Sequence, residues 1–372
     1  MRRPALSVYS ACDNKCYKCD IIDALSECGE ETGMGEFTGG ENGVPAAPTR
    51  KFTFLLVPEF SMMAFTAAIE PLRAANRTAG RTLYSWRVAT LDGGQVKASN
   101  GVSVVADGSL ADVAKGGVLL VCAGLSAADH ASPALLNALR LQARHTESLG
   151  GVCTGSIILA EAGLLGGYRC TVHWEDLVSF AENFPELEIT SRLYEIDRDR
   201  VTCSGGTAPL DMMIHFIALD HGRELAVGVA ELMVHHFARE AHEPQRLSIL
   251  ERTGVRHPKL LQAIALMEEA IEHPAPLDRI AEGAGLSPRQ MERLFAMHFE
   301  KTPSRYYLGL RLARARHLLG HTALPVVQVA LATGFASPAH FTKCYREAFG
   351  NTPSAERQAP VKDRLPIDDR VA

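Results

Sequence analysis

Long apolar runs are missing from this chain: no uninterrupted stretch approaches the ~18 residues that a membrane-spanning helix needs. Gly116–Leu125 is among the longest, and it reads as a buried strand. The start, MRRPALSVYSACDNKC, has two arginines but no continuous apolar segment after them, so no secretory signal is read there. A cytoplasmic protein with no membrane partner is expected. Aromatic residues are scarce at 6%, and Trp86 and Trp174 are the only tryptophans. A large charge of either sign is also lacking; the net −5 speaks against a nucleic-acid partner only if the acidity is spread evenly. The remainder is ordinary. With 47% apolar and 22% charged residues, collagen-like, coiled-coil and wholly disordered chains are excluded. A length of 372 residues argues for two or three domains.

Cysteine is plentiful by comparison, with nine. Cys122, Cys153, Cys170, Cys203 and Cys344 lie in apolar segments, where a thiol behaves as a small buried hydrophobe. Cys12, Cys16, Cys19 and Cys28 cluster near the start. The spacing Cys12-x3-Cys16-x2-Cys19 matches the triplet that holds an iron–sulfur cluster in radical SAM enzymes. Nothing downstream supplies the barrel of repeated strand–helix units that such enzymes use, so no metal and no cofactor are expected. Residues 29–50 are rich in Gly, Glu, Thr and Pro without periodicity, and residues 1–50 read as a disordered leader.

Order is expected from Lys51, where FTFLLVP forms a short apolar strand. A helix follows over Phe60–Ala79, with strands at Tyr84–Leu91, Val102–Ala106 and Val118–Cys122. Ser132–Thr146 reads as a helix, Gly150–Val152 as a strand end, and Thr154–Ala162 as the next helix. Helices at Ala208–Asp220 and Glu224–Ala238 complete the pattern. Strand–helix alternation of this kind predicts an α/β, flavodoxin-like, doubly wound parallel sheet over residues 51–238. Residues 239–258 are polar and bracketed by prolines, a linker. Residues 259–358 show only short helices with Ser-Pro and Thr-Pro caps, an all-α domain, and 359–372 form a tail.

One arrangement occurs twice in the all-α part, in LDRIAEGAGLSPRQMERLFAMHF (277–299) and VVQVALATGFASPAHFTKCYREAFG (326–350). Each has a short helix, a glycine, an apolar residue, a Ser cap and a longer helix carrying aromatics, as in a helix-turn-helix. The caps Ser287 and Ser337 lie 50 residues apart, a separation that lets the two second helices enter successive major grooves. Across 259–357 the chain resembles the AraC/XylS family of transcription regulators, most specifically over GFASPAHFTKCYREAFGNTPSAER. In the first recognition helix Arg289, Gln290, Glu292 and Arg293 fall on the outward face, with arginine suited to guanine, glutamine to adenine and glutamate to cytosine. In the second, the outward residues include His340 and Lys343, which suit phosphate contact better than base readout. Residues 259–358 carry 12 Lys and Arg against 9 Asp and Glu, whereas residues 1–258 carry 23 against 31. The acidity therefore belongs to the other part of the chain, and double-stranded promoter DNA is the expected partner.

In the α/β part, Gly151-Val-Cys153-Thr-Gly-Ser156 sits between a strand and a helix, as a nucleophile elbow does. Residues 51–235 resemble the PfpI and class I glutamine-amidotransferase-like superfamily. More narrowly, VCTGSIILAEAGLLGGYRCTVHWED and GGTAPLDMMIHFI resemble GlxA-type regulators, which include regulators of carnitine, glycine betaine and arginine catabolism. Enzymes of the superfamily carry a histidine directly after the cysteine, and here that residue is Thr154, so the elbow reads as a ligand pocket without catalytic residues. The pocket is expected at the carboxyl ends of the strands, from Phe60, Gly124, Cys153, Thr154, His173, Trp174 and Glu175. Backbone amides at Gly124 and Thr154 suit a carboxylate, and Trp174 or Phe60 beside Glu175 suits a quaternary ammonium. The resemblance implies a non-enzymatic, homodimeric regulator that responds to a small-molecule effector and works with RNA polymerase as an activator. The competing reading is a cysteine-dependent hydrolase or amidotransferase with an appended DNA-binding domain.

Overall fold

The structure, a computed structural model, describes residues 49–358 apart from residue 323; residues 1–48, with the cysteine cluster, and the tail lie outside the described residues, and Arg50, expected in the leader, opens the first strand. The first half runs β1 (Arg50–Leu56), α1 (Met62–Ala79), β2 (Tyr84–Thr90), β3 (Gln95–Lys97), β4 (Ser103–Val105), β5 (Gly108–Ser109), β6 (Val118–Cys122) and α2 (Pro133–Gln142). It continues through β7 (Ser148–Val152), α3 (Gly155–Glu161), β8 (Arg169–Cys170), α4 (Leu177–Asn183), β9 (Glu188–Ile189), β10 (Tyr194–Asp197), β11 (Arg200–Cys203), α5 (Ala208–His221) and α6 (Arg223–Leu232).

Seven strands form one sheet in the order β10-β11-β7-β6-β1-β2-β5. Every pairing is parallel except β10 with β11, where Tyr194 faces Cys203. The apolar runs of β1 and β6 are continuous because both faces are covered. Phe52, Phe54, Leu56, Leu120 and Cys122 pack with α1, α5 and α6 on one face. Leu55, Val57, Leu119 and Val121 pack with α2 and α3 on the other. The β10–β11 hairpin has no glycine or asparagine at its tight turn; Arg198 takes the left-handed φ of 56° instead, which is why no turn signal marks it in the sequence.

The polar segment after α6 lies along the α/β half. Leu193 N donates to Ala241 O (3.0 Å), residues Arg192 and Pro244 form a bridge, and Gln245 Nε2 donates to Thr171 Oγ1, Val172 O and Arg192 O at 3.0, 3.1 and 2.8 Å. The chain then enters α7 (Ile249–Thr253), α8 (Pro258–Glu269), α9 (Leu277–Gly283), α10 (Pro288–Phe299), α11 (Pro303–His321), α12 (Val326–Ala332), α13 (Pro338–Phe349) and α14 (Pro353–Gln358). Two cores flank α11. Its first half packs with α8, α9 and α10 through Tyr306, Tyr307 and Leu310, and its second half with α12 and α13 through Leu312, Ala315, Leu318 and Leu319. At 19 residues α11 is roughly 28 Å long at ~1.5 Å per residue, a rigid spacer between two similar units. No helix among the described residues is long and apolar enough to cross a membrane.

Candidate functional site

Cys153 stands at the sharp turn from β7 into α3 with φ at 61°, the strained geometry of an elbow. Close packing enforces it. A side chain on Gly205 would meet Cys153 Sγ at 2.9 Å, and one on Gly151 would meet Ser156 N. Only 8% of Cys153 is exposed. Burial pushes its thiol up to about 12, and the carboxylates of Asp176 and Glu175 push the same way, against a hydrogen bond from Thr154. The sulfur is a neutral thiol, with the negative field of two carboxylates upon it.

The structure separates the expected pocket residues. Phe60 is fully buried and packs edge-on against Phe65 with centroids 5.8 Å apart, so it is a core residue and presents no face to a ligand. Gly124, half-exposed, bridges to Phe60, and a side chain there would meet Ser61 N at 2.8 Å. Thr154, in the place of the enzymes' histidine, donates from Oγ1 to Gly124 O at 2.6 Å. The Thr154 hydroxyl is thus turned onto the Gly124 carbonyl, and neither residue lines the cavity beside the elbow. His173 and Glu175 form a local pair, Nδ1 to Oε2 at 3.6 Å, with Trp174 between them.

The space beside the elbow is a cavity of about 190 Å3 on the β11 side, lined by His173, Trp174, the Ser204–Ala208 turn, Arg239 and Gln245. Arg239 is held by Asp211, a fully buried carboxylate on α5, through Nε and Nη2 at 3.0 and 2.6 Å. His235 Nε2 (2.8 Å) and Arg239 N (2.8 Å) complete the ring of partners about Asp211. Arg239 also donates to Thr207 Oγ1, the N-cap of α5. Asp211, Arg239 and Gln245 were not among the residues expected from sequence. Asp211 had a legible signal, a lone carboxylate within the apolar run PLDMMIHFI; Arg239 and Gln245 lie in the polar segment and gave none.

In the helical half the two units repeat down to their caps. Ser287 Oγ accepts from Gln290 N, and Ser337 Oγ from His340 N. Met291, Leu294 and Phe295 face inward on α10, as Phe341, Cys344 and Tyr345 do on α13. Arg289, Glu292 and Arg293 are exposed on α10. Gln290 is exposed too, but its Oε1 accepts from Ser287 N at 2.9 Å in a capping box. Its side chain is thus engaged in the helix start, and a bidentate adenine contact requires breaking that cap. On α13, His340 leans on Phe335 and brings Nε2 to 3.3 Å from Cys344 Sγ, while the exposed Lys343 lies 3.9 Å from Glu347.

Residues 50–219 match the DJ-1/PfpI family and residues 280–359 match a helix-turn-helix domain. The HTH-type transcriptional regulator CdhR of Pseudomonas aeruginosa is 48% identical over 315 residues, covering 84% of this chain and 94% of the relative. GbdR of the same species is 45% identical, covering 82% and 83%. The chain belongs to the HTH-type transcriptional regulators of the GlxA/AraC type. GlxA of Rhizobium meliloti is itself 39% identical, covering 83% of this chain and 96% of the relative. As a member of this family the protein is a DNA-binding regulator and not an enzyme, and the hydrolase reading falls. The elbow agrees: Cys153 has a raised pKa, and its neighbour in sequence is engaged with a backbone carbonyl.

Proposed function

We propose that the α/β half of this regulator binds a small zwitterionic amine in the cavity beside Cys153, and that occupancy controls how the helical half holds promoter DNA. The observation that carries this is the polarity of the cavity. One wall offers the start of the 14-residue helix α5 and the Arg239 guanidinium, whose Nε and Nη2 are held by Asp211, so that a ligand carboxylate would share this cation with Asp211. The other offers the indole of Trp174; Glu175 and Asp176, which follow it in sequence, lie behind the lining and set a negative field that reaches neighbouring Cys153. That side suits an ammonium, and a quaternary one gains most from an aromatic face. Amino acids and betaines have this charge pattern.

On this reading the protein is a cytoplasmic homodimer that activates transcription by recruiting RNA polymerase. A helical half with a net charge of only +3 over residues 259–358 holds DNA weakly through phosphates alone, so two copies on one operator supply affinity that a single copy lacks. Calorimetric titration of the full chain with glycine betaine, carnitine, arginine and glycine tests the ligand class. Saturable binding by at least one of these supports the reading; heats of dilution alone for the whole set contradict it. Light scattering of the eluted protein tests the dimer.

A further inference from the structure

We propose that Trp174 is shared by two competing cations, the ammonium of a bound ligand on the elbow side and the guanidinium of Arg246 on the other, so that Arg246 reports occupancy to the helical half. The proposal rests on the cationic-ligand reading above. Trp174 lines both the elbow cavity of about 190 Å3 and a larger one of about 470 Å3. Arg246 belongs to the lining of the larger one, with its guanidinium carbon 4.5 Å from the centre of the Trp174 ring. The indole is therefore a wall between two spaces, and one of its faces already carries a positive charge.

An aromatic ring offers the same electron-rich quadrupole on both faces. Two cations on opposite faces would stand roughly 8–9 Å apart across a half-buried ring, close enough to repel each other. Each therefore weakens the other. The larger cavity is also where the two halves meet. Glu182 of α4 and Trp174 come from the sensing half; Ile271, Arg314, His317 and Leu318 come from the reading half. Arg314 lies on α11, the spacer between the two helix-turn-helix units. Burial opposes its charge, Glu182 supports it and Arg246 opposes it. An Arg246 that leaves the indole changes the field on Arg314, which faces Glu182 of α4 across this cavity. Occupancy of the elbow cavity is so linked to the helix that spaces the recognition helices, by a route of three side chains: Trp174, Arg246 and Arg314.

Thermodynamic reciprocity requires that removing Arg246 strengthen the binding of a cation at Trp174. The test compares glycine betaine with 3,3-dimethylbutanoate, which has the same carboxylate and shape but carbon in place of the charged nitrogen. Both are titrated by calorimetry into the full chain, into Arg246→Ala, and into Arg246→Gln, which keeps a long polar side chain if the alanine variant does not fold. The expected result is a Kd for glycine betaine lowered at least about 5-fold in the folded variants, with the Kd for 3,3-dimethylbutanoate unchanged. The ligand should also lose its effect on DNA affinity in those variants. An unchanged or weaker affinity for glycine betaine, or an equal gain by both probes, overturns the role of Arg246 and leaves the cavity reading intact. If the wild-type chain binds both probes equally, or binds none of glycine betaine, carnitine, arginine and glycine, the cationic-ligand reading fails and this proposal with it; if it binds another of these but not glycine betaine, the proposal fails and the cavity reading stands.

Discussion

Cys153 shows how one residue can keep the geometry of a catalyst while losing the chemistry. Its φ of 61° and its place at the turn into α3 are those of an exposed nucleophile, yet the sulfur is enclosed and its pKa is raised to about 12. At pH 8 only about one thiol in ten thousand is then ionised, so iodoacetamide should leave native Cys153 unmodified under conditions that label unfolded chain fully. Peptide mass spectrometry reads this directly, and labelling of native Cys153 at the rate of a free thiol contradicts it. The same shift has a sign for stability. Cys153, Cys170 and Cys203 are all raised from an ordinary value near 9 to about 12, so their contribution is complete below pH 9 and declines as the pH climbs toward 12, while unfolded thiols ionise. The melting temperature of the α/β half should fall over that window. Replacing all three by Ser removes the thiol contribution to the slope, and an unchanged slope contradicts this account. At the other end of the chain, Arg293→Ala should weaken binding to the cognate site by about 1–3 kcal/mol while changing non-specific binding less, as measured by fluorescence anisotropy. An equal loss on both DNAs would assign Arg293 to the phosphates instead.

At the scale of elements, the two helix-turn-helix units invite comparison because they solve the same problem with different residues. Helix α13 ends on Gly350 at φ 80°, whereas α10 ends on Glu300 at φ 54°. Glu300→Gly should therefore stabilise the helical half by about 0.5–1 kcal/mol, by lifting the penalty of a left-handed conformation at a C-cap; a lower melting temperature would contradict this. Gly334 answers the opposite demand. It has φ at 73°, and a side chain there would press on the ring of Pro274 and stand 2.8 Å from Ile271 O. Gly334→Ala should cost about 1–3 kcal/mol and loosen the joint between the units, visible as faster amide exchange in α12. These elements were legible in sequence because each carries its own signal: Ser-Pro caps, a glycine at the turn, and an aromatic stripe. The covered strands β1, β6 and β7 were legible for the same reason. The β10–β11 hairpin was not, because Arg198 sits where a turn glycine would have marked it, and the cavity beside the elbow was half-legible. His173 and Trp174 were readable from the motif that follows Cys153, whereas Arg239 and Gln245 reach the cavity from a segment whose polarity says only that it is no helix core. Phe60 and Gly124 misled because carboxyl ends of strands suggest a crevice, and here the loops after β1 and β6 zip it shut.

At the scale of the whole molecule, a net charge of −5 conceals an acidic α/β half and a mildly basic helical half. The α/β half carries a small cavity beside its elbow, and the helical half exposes two capped helices on a rigid spacer. A modest basic excess predicts recognition by a few well-placed side chains more than a broad electrostatic grip, hence a shallow dependence of affinity on salt. The measurement that tests the central claim most directly is the affinity of the full chain for a fragment of its own upstream DNA and for a scrambled fragment of equal length, by fluorescence anisotropy with and without saturating glycine betaine. The account predicts that the chain prefers its own fragment and that the ligand changes that affinity while leaving the scrambled fragment unaffected. Equal affinity for the two fragments, or a preference that ligand leaves unaltered, would contradict it.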